Sequence, residues 1–182
     1  MKSLFKKISL SSDHAGFSLK EKIRKYLLKK KIKVLDLGPQ DNNSVDYPDY
    51  AKKVARNVIS KKSNVGILVC GSGTGMAISA NKFKKIRAAV CYNIASTRLS
   101  RMHNNANILA LGSRLTKKQN VVKLVNLFLS TKFIRIIMFC LVTRIYFSAI
   151  TRALSVDTKV FLAYCSVSHI TIRCVRLLTY TM

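Results

Sequence analysis

Short β-branched runs alternate with longer segments of helical period over the first 130 residues, and this alternation limits the possible fold more than any other feature. A strand, a helix and a second strand form a βαβ unit, in which the two strands lie parallel in one sheet. The strand segments are "FKKISLSS", "IKVLDLG", "VGILVC", "IRAAVCY" and "ANILAL". With about five helices, they predict an α/β fold, a doubly wound domain around a five-stranded parallel sheet.

The helical segments carry apolar residues at the spacing that packs one helix face against a sheet. The first stripe, which has Lys and Arg opposite it, consists of Leu19, Ile23, Tyr26 and Leu27. Pro48 suits a helix start, and the buried face of that helix is expected to hold Tyr50, Val54, Val58 and Ile59. The fifth helix is expected to bury Val121, Val122, Leu124, Val125 and Phe128.

The composition changes abruptly after the first domain, which we assign to residues 1–132. Residues 133–182 contain no Gly, Pro, Asn, Gln or Glu, and they hold three of the five cysteines. No helical or strand period runs through this atypical C-terminal tail. A shifted reading frame would produce such a change and is our interpretation; a lineage-specific extension is the alternative.

The charge of the chain raises the question of an anionic partner. It has 33 Lys and Arg against 7 Asp and Glu, a net charge of +26, which is typical of proteins that bind nucleic acid or anionic membranes. Many lysines, however, form short clusters near predicted helix ends, and no RNA-recognition motif or zinc-ligand spacing accompanies them. We therefore favour a solvated basic surface over a nucleic-acid partner.

Cysteine usage and hydropathy indicate the compartment. The five cysteines form an odd set without short-range pairing, and no signal-peptide apolar stretch follows the N-terminus. No uncharged window reaches the length of about 18 residues that a membrane helix needs. The sequence therefore predicts a cytoplasmic protein without a membrane partner.

The stretch "GILVCGSGTGMAISANKF", residues 66–83, joins a buried strand to a helix through a glycine-rich turn. In an open parallel sheet, ligands bind at the carboxyl ends of the strands, where helix N-termini present free amides. Met76 stands where a dinucleotide fingerprint has its third glycine, and the Lys of an NTPase loop is absent. We expect the amides of Gly71 to Gly75 to hold a small anion, either a phosphate or an oxyanion that develops during reaction.

Cys70 lies at the start of this turn. A helix N-terminus raises the thiolate fraction of a nearby thiol, so Cys70 is a candidate base or nucleophile; alternatively, it only ends a buried strand as a small hydrophobic residue. Between Asp49 and Asp157 the sequence contains no Asp or Glu. The thiol is therefore the available base if chemistry takes place in this half of the domain.

Three further stretches place polar side chains next to predicted strands. "SSDHAG" places Asp13 and His14 after the first strand, although Asp13 also suits a helix cap. "SRMHNNAN" places His103 and Asn104 before the fifth strand; a histidine is the natural acid near neutral pH, and a lone surface histidine is the alternative. "LGSR" ends that strand with Arg114, which either binds phosphate or is solvated. Together with the glycine loop, these stretches predict one site at the strand ends.

Six stretches share their order and spacing with a known family: "SSDHAGFSLKEKI", "DLG", "DYPDYA", "GILVCGSGTGMAISANKF", "IRAAVCYN" and "LSRMHNNANILALGSR". They resemble ribose-5-phosphate isomerase B, within the sugar-phosphate isomerase family that includes galactose-6-phosphate isomerase. The resemblance runs from Lys6 to Phe133 without large gaps. It implies a Rossmann-like homodimer without metal or organic cofactor, which interconverts an aldose phosphate and a ketose phosphate through an enediolate.

The resemblance also implies roles for individual residues. Cys70 matches the residue that abstracts the proton, His103 the residue that opens the sugar ring, and Arg114 a phosphate ligand. The loop that holds the enediolate oxygens corresponds to Gly71, Ser72, Gly73, Thr74 and Gly75, with Ser72 counted as catalytic. The other substrate contacts correspond to Asp13, His14 and Asn104. Some members lack the cysteine and carry a glutamate where this chain has Met76, so the chain resembles the cysteine-type branch.

The sequence therefore predicts an isomerase of ribose 5-phosphate and ribulose 5-phosphate, a small-molecule substrate pair. Alternatives are an isomerase of a six-carbon sugar phosphate, such as galactose or allose 6-phosphate, and a non-catalytic RNA-binding or decayed form of the fold. The family continues after the fifth helix with a glycine pair and an Arg/His-bearing helix, which supplies phosphate ligands and dimer contacts. Here "FLSTKF" is followed instead by "IRIIMFCLV".

Overall fold

A computed structural model of the chain describes residues 3–134, in which strands and helices alternate as the sequence predicts. The strands are β1 (Lys7–Ser12), β2 (Lys33–Asp36), β3 (Val65–Cys70), β4 (Ala88–Val90) and β5 (Ile108–Gly112). The helices are α1 (Phe17–Lys29), α2 (Tyr47–Ile59), α3 (Thr74–Asn81), α4 (Ile94–Met102) and α5 (Val121–Ser130). The predicted tail lies outside the described residues from position 135 onward.

The five strands form one parallel sheet in the order β2-β1-β3-β5-β4. The chain adds β2 on one side of β1 and then returns to add β3 on the other side. Such a change of direction opens a crevice at the carboxyl ends of the two central strands, where open α/β sheets bind ligands. The predicted Rossmann-like, doubly wound five-stranded parallel sheet is confirmed.

Each face of the sheet packs against its own hydrophobic core. Side chains of β1, β3 and β5 pack with α1 and α5 on one face, where Ile67 and Phe128 are fully buried. The opposite face packs against α2 and α3, and its core includes Leu68, Cys70 and Met76. All six residues of β3 are buried, as expected for a central strand of a parallel sheet covered on both faces. Cys70 therefore lies on the α2 and α3 face.

Two of the predicted lysine clusters lie at helix ends, whereas Lys52 and Lys53 lie in the middle of α2. Lys29 to Lys31 end α1, Lys61 and Lys62 follow α2, and all five residues are exposed. Positive side chains near the last turn interact favourably with the negative end of the helix dipole. None of the helices in the described range is long and apolar enough to cross a membrane.

One charged side chain, that of Lys20, is fully buried on α1. Its Nζ donates to both carboxylate oxygens of Asp36, at 3.1 and 2.9 Å, and to the carbonyl oxygen of Pro39 at 2.8 Å. It also pairs with Glu21 Oε1 at 3.1 Å. Burial raises the pKa of Glu21, but hydrogen bonds from Arg24 and Lys20 outweigh it and hold that pKa below its usual range. Lys20 thus joins α1 to the carboxyl end of β2.

Replacing Lys20 with methionine is expected to lower the free energy of unfolding by about 2–4 kcal/mol, because the partly buried carboxylates lose their cation. Urea unfolding of the purified protein measures this change. Lys25→Met is the matched control, since Lys25 is an exposed lysine of the same helix, and its effect should stay within about 0.5 kcal/mol. Equal effects of the two substitutions would contradict the stabilising role of Lys20.

Candidate active site

Cys70 ends β3 and directs its thiol toward the start of α3. Its side chain is 5% exposed, and the backbone N–H of Gly73 donates to Sγ at 3.0 Å. Gly73 precedes α3 and has a φ of +86°, a left-handed conformation that favours glycine. The turn that the sequence predicts thus brings a helix N-terminus onto the sulfur atom.

The amides of the glycine loop are available to a ligand. Within residues 3–134, the backbone N–H groups of Gly71, Ser72 and Gly75 have no hydrogen-bond acceptor. The Thr74 N–H donates weakly to Ser72 Oγ at 3.3 Å. Free amides next to a helix N-terminus form a concave site for an anion.

The end of β5 supports this loop by a backbone contact. A Cβ on Gly112 would lie 2.5 Å from the Ser72 carbonyl oxygen, and a Cβ on Gly73 would lie 3.0 Å from the Gly112 nitrogen. Both positions must therefore be glycine for the loop to rest directly on the strand. The Ser113 N–H also donates to the Cys70 carbonyl oxygen at 2.8 Å. The loop is thus fixed against β5 without intervening side chains.

Arg114 places a positive charge beside the loop. A Cβ on Gly71 would lie 3.6 Å from both Cζ and Nε of Arg114, and the Arg114 N–H donates to the Gly71 carbonyl oxygen at 3.1 Å. The side chain is exposed and forms no ion pair with any residue in the described range. An exposed guanidinium without a carboxylate partner can bind an incoming phosphate.

The loop after β1 lies at the same edge of the sheet. The Asp13 N–H donates to the Val69 carbonyl oxygen at 3.0 Å, and Asp13 Oδ1 accepts from the Gly16 N–H at 2.7 Å. Asp13 therefore binds the residue that precedes α1, but it is not the helix cap, because Gly16 is the N-cap and no side chain caps α1. His14 is exposed. Ser113 Oγ ties this loop to the end of β5 by donating to the carbonyl oxygen of Ala15 at 2.9 Å.

His103 and Asn104 lie at the opposite edge of the sheet. The His103 N–H donates to the carbonyl oxygen of Leu99 at the end of α4, and β5 begins after these residues. β5 starts beside Gly66 and ends beside Cys70. The amino and carboxyl ends of these strands are therefore separated by a strand length of about 13 Å. One chain therefore does not bring His103 and Asn104 to Cys70, although the sequence predicts one site for all of these residues.

Two tyrosines at the loop were not identified from the sequence. A Cβ on Gly75 would lie 3.0 Å from Cε2 of Tyr47, and the Tyr92 hydroxyl contacts Thr74 Oγ1 at 3.4 Å. Both tyrosines are exposed. Each lies at the carboxyl edge of the sheet, Tyr47 at the start of α2 and Tyr92 after β4. Both also belong to stretches that carry the family resemblance, Tyr47 to "DYPDYA" and Tyr92 to "IRAAVCYN", and this was the signal that could have identified them.

A second cysteine, Cys91, has a different environment from Cys70. It is fully buried in the core on the opposite face of the sheet, and burial raises the pKa of the Cys91 thiol despite its hydrogen bond with Ser100. A raised pKa keeps a thiol protonated and chemically inert at neutral pH. Of these two cysteines, only Cys70 lies beside free amides.

The arrangement suits proton transfer next to a developing negative charge. Cys70 supplies a thiol, the loop amides supply hydrogen-bond donors, and Arg114 supplies a positive charge on the same side. Fixed donors of this kind stabilise an oxyanion more effectively than water does, because they need no reorganisation during the reaction. Within the described range, no cluster of three or more His, Cys, Asp or Glu side chains could hold a metal ion.

Comparisons with known proteins agree with the fold and with the motifs. The sequence profile of the Ribose/Galactose Isomerase family matches residues 8–136. The chain is 46% identical over 126 residues to a putative sugar phosphate isomerase of Rickettsia bellii, covering 69% of this chain and 88% of that protein. It is 41% identical over 128 residues to ribose-5-phosphate isomerase B of Escherichia coli, and the match covers 70% of this chain and 86% of that protein.

Solved structures give the same result. A ribose 5-phosphate isomerase from Thermotoga maritima is 52% identical, with a TM-score of 0.69, covering 70% of this chain and 88% of that one. Ribose-5-phosphate isomerase B of Clostridium thermocellum is 46% identical and has the same TM-score, and the match covers 70% of this chain and 86% of that one. The family implied by the sequence motifs is thus confirmed by sequence and by structure. The chain belongs to the Ribose/Galactose Isomerase family of sugar-phosphate isomerases.

Proposed function

We propose that this protein interconverts ribose 5-phosphate and ribulose 5-phosphate, with Cys70 as the base. The main observation behind the proposal is the position of the Cys70 thiol, which accepts an N–H bond at the start of α3 beside amides without acceptors. The names of similar proteins from Escherichia coli and Thermotoga maritima support the choice of ribose 5-phosphate as substrate.

In the proposed mechanism, the Cys70 thiolate removes the proton from C2 of the open-chain aldose. The electrons of the broken C–H bond form a C1–C2 double bond, and the carbonyl π electrons move onto O1. The loop amides stabilise the resulting enediolate. A proton moves from O2 to O1, and the thiol returns its proton to C1, which leaves the C2 carbonyl of the ketose.

The other residues at the carboxyl ends of the strands, on the same side as Cys70, would bind the substrate. Arg114 would bind the phosphate, because its guanidinium is exposed and has no ion pair within residues 3–134. Asp13 and His14 would contact the sugar hydroxyls from the loop after β1. Ser72 and Thr74 would contribute hydroxyl groups from the glycine loop, where both are exposed.

His103 would open the sugar ring, with Asn104 as its substrate-binding neighbour. Because these residues lie at the other edge of the sheet, they can serve Cys70 only if a second copy of the chain supplies them. The proposed function therefore includes a homodimer in which each site combines the Cys70 edge of one protomer with His103 of its partner. Cytoplasmic localisation belongs to the same proposal.

A six-carbon sugar phosphate is the second candidate substrate. The matching family is described as containing both ribose and galactose isomerases, and the chemistry at C1 and C2 is the same for both. The distance from the reacting carbons to the phosphate differs by one carbon. The candidates are therefore distinguished by the position of the phosphate relative to Cys70.

An activity assay tests the proposed function. The purified full chain is expected to form ribulose 5-phosphate from ribose 5-phosphate with a higher kcat/KM than it shows with galactose 6-phosphate or allose 6-phosphate. Ketose formation measures each reaction, and EDTA should leave the rate unchanged because the proposed steps use only protein groups. Preference for a six-carbon substrate would identify the second candidate. No turnover of any of these sugars, with steeply salt-dependent RNA affinity, would indicate an RNA-binding protein instead.

A further inference from the structure

The peptide group between Ser72 and Gly73 lies between Tyr92 and Cys70. The Tyr92 hydroxyl donates to the Ser72 carbonyl oxygen at 3.2 Å, and the N–H of the same peptide group donates to Cys70 Sγ at 3.0 Å. The carbonyl and the N–H of a trans peptide point in opposite directions. A single peptide plane therefore connects the tyrosine hydroxyl with the sulfur.

This peptide plane needs support from outside the loop. Gly73 has a φ of +86° and lacks a side chain that would restrict rotation about its backbone bonds. In the described part of the chain, Tyr92 is the only residue that donates a hydrogen bond to the Ser72 carbonyl oxygen. The hydroxyl thus adds a side-chain contact to this peptide plane, beside the packing of the loop on β5.

The two hydrogen bonds also strengthen each other. A hydrogen bond accepted by a carbonyl polarises the N–H of the same peptide group. A more polarised N–H is a better donor, and a donor directed at sulfur favours the thiolate over the thiol. Tyr92 follows β4, the edge strand beyond β5, and its hydroxyl contacts the Ser72 carbonyl oxygen.

We propose that Tyr92 is a positioning residue for Cys70, acting through the peptide group between Ser72 and Gly73. Its importance for catalysis rests on the proposed function of Cys70 as the base. Its effect on the thiol does not require that the protein be an isomerase. Thiol reactivity and turnover therefore test the two statements separately.

Tyr92→Phe removes the hydroxyl and retains the ring. In the full chain, the rate of Cys70 alkylation by iodoacetamide at neutral pH is expected to fall about three- to tenfold, the effect of losing one hydrogen bond. At a pH well above the ordinary range for thiols, the rate should match that of the parental protein. Trypsin releases residues 63–82, which contain Cys70 and no other cysteine, so mass spectrometry follows this site alone. For isomerisation, kcat should fall by a similar factor while KM stays unchanged.

Tyr26→Phe is the matched control, because it removes a tyrosine hydroxyl that donates to Asn126 Oδ1 at 2.6 Å, away from the loop. It should leave Cys70 alkylation and turnover at parental values. The proposal is overturned if Tyr92→Phe leaves the neutral-pH rate unchanged, or if it lowers the rates at both pH values equally, as a change in access would. If the parental protein has no isomerase activity, the proposed function fails, and the alkylation rates still decide the role of Tyr92.

Discussion

Replacing Cys70 with alanine is expected to lower kcat for isomerisation by about 10²–10⁴-fold, the usual contribution of a positioned base. Alanine keeps the loop amides and Arg114 in place but removes the proton acceptor. Cys70→Ser should be nearly as inactive, because a hydroxyl is far less acidic than a thiol. Ketose formation from ribose 5-phosphate at saturating substrate measures both variants.

Cys91→Ala is the matched control for this loss. It removes a thiol of the same size from a fully buried site on the other face of the sheet, at a cost in stability of about 1 kcal/mol. Turnover by this variant should stay close to the parental value. Near-parental turnover by Cys70→Ala or Cys70→Ser would show that Cys70 is not the base.

Combining two inactive subunits is expected to restore activity. His103→Ala should slow the reaction from the cyclic sugar strongly, and that from an open-chain substrate less, because its proposed role is ring opening. In a heterodimer of Cys70→Ala and His103→Ala chains, one site contains both substitutions and the other neither. Co-expression with two affinity tags isolates this heterodimer, which should show about half of the parental activity because one of its two sites is intact.

The control for this experiment is a heterodimer of Cys70→Ala and Cys70→Ser chains, in which neither site has a base. It should remain inactive. An inactive heterodimer of the Cys70→Ala and His103→Ala chains would contradict a site shared between protomers. Equal loss of activity by His103→Ala with cyclic and open-chain substrates would instead remove His103 from ring opening.

Local patterns predict the sheet and the glycine loop well. Each strand is a short apolar run that ends near the observed residue, and Cys70 is correctly placed at the end of β3. The loop was predictable because three glycines at alternate positions between an apolar run and a helix indicate a turn with accessible backbone amides. On α1, three of the four stripe residues, Leu19, Ile23 and Leu27, are buried.

Features that depend on contacts between distant segments were not predictable. Lys20 lies about 20° from Leu27 around α1, at the margin of the apolar stripe, and it is buried because Asp36 of β2 supplies its partner. Ile59 was expected to be buried but is 38% exposed, since it lies roughly 90° from the centre of the buried face of α2. His103 precedes β5 in the sequence and therefore lies at its amino end, whereas Cys70 lies at the carboxyl end of β3; the prediction of a single site overlooked this difference.

The direct packing of the glycine loop on the end of β5 also restricts how this scaffold can diversify. A side chain at Gly112 would collide with the Ser72 backbone, and one at Gly73 would be strained by the φ of +86°. Substitution at either position would therefore displace the loop. The exposed ring of Tyr47 borders the same loop at Gly75, and its replacement would disturb little of the core. Evolution or design toward a new sugar would therefore change exposed side chains that border the loop, and Cys70 and the glycine loop would stay the same.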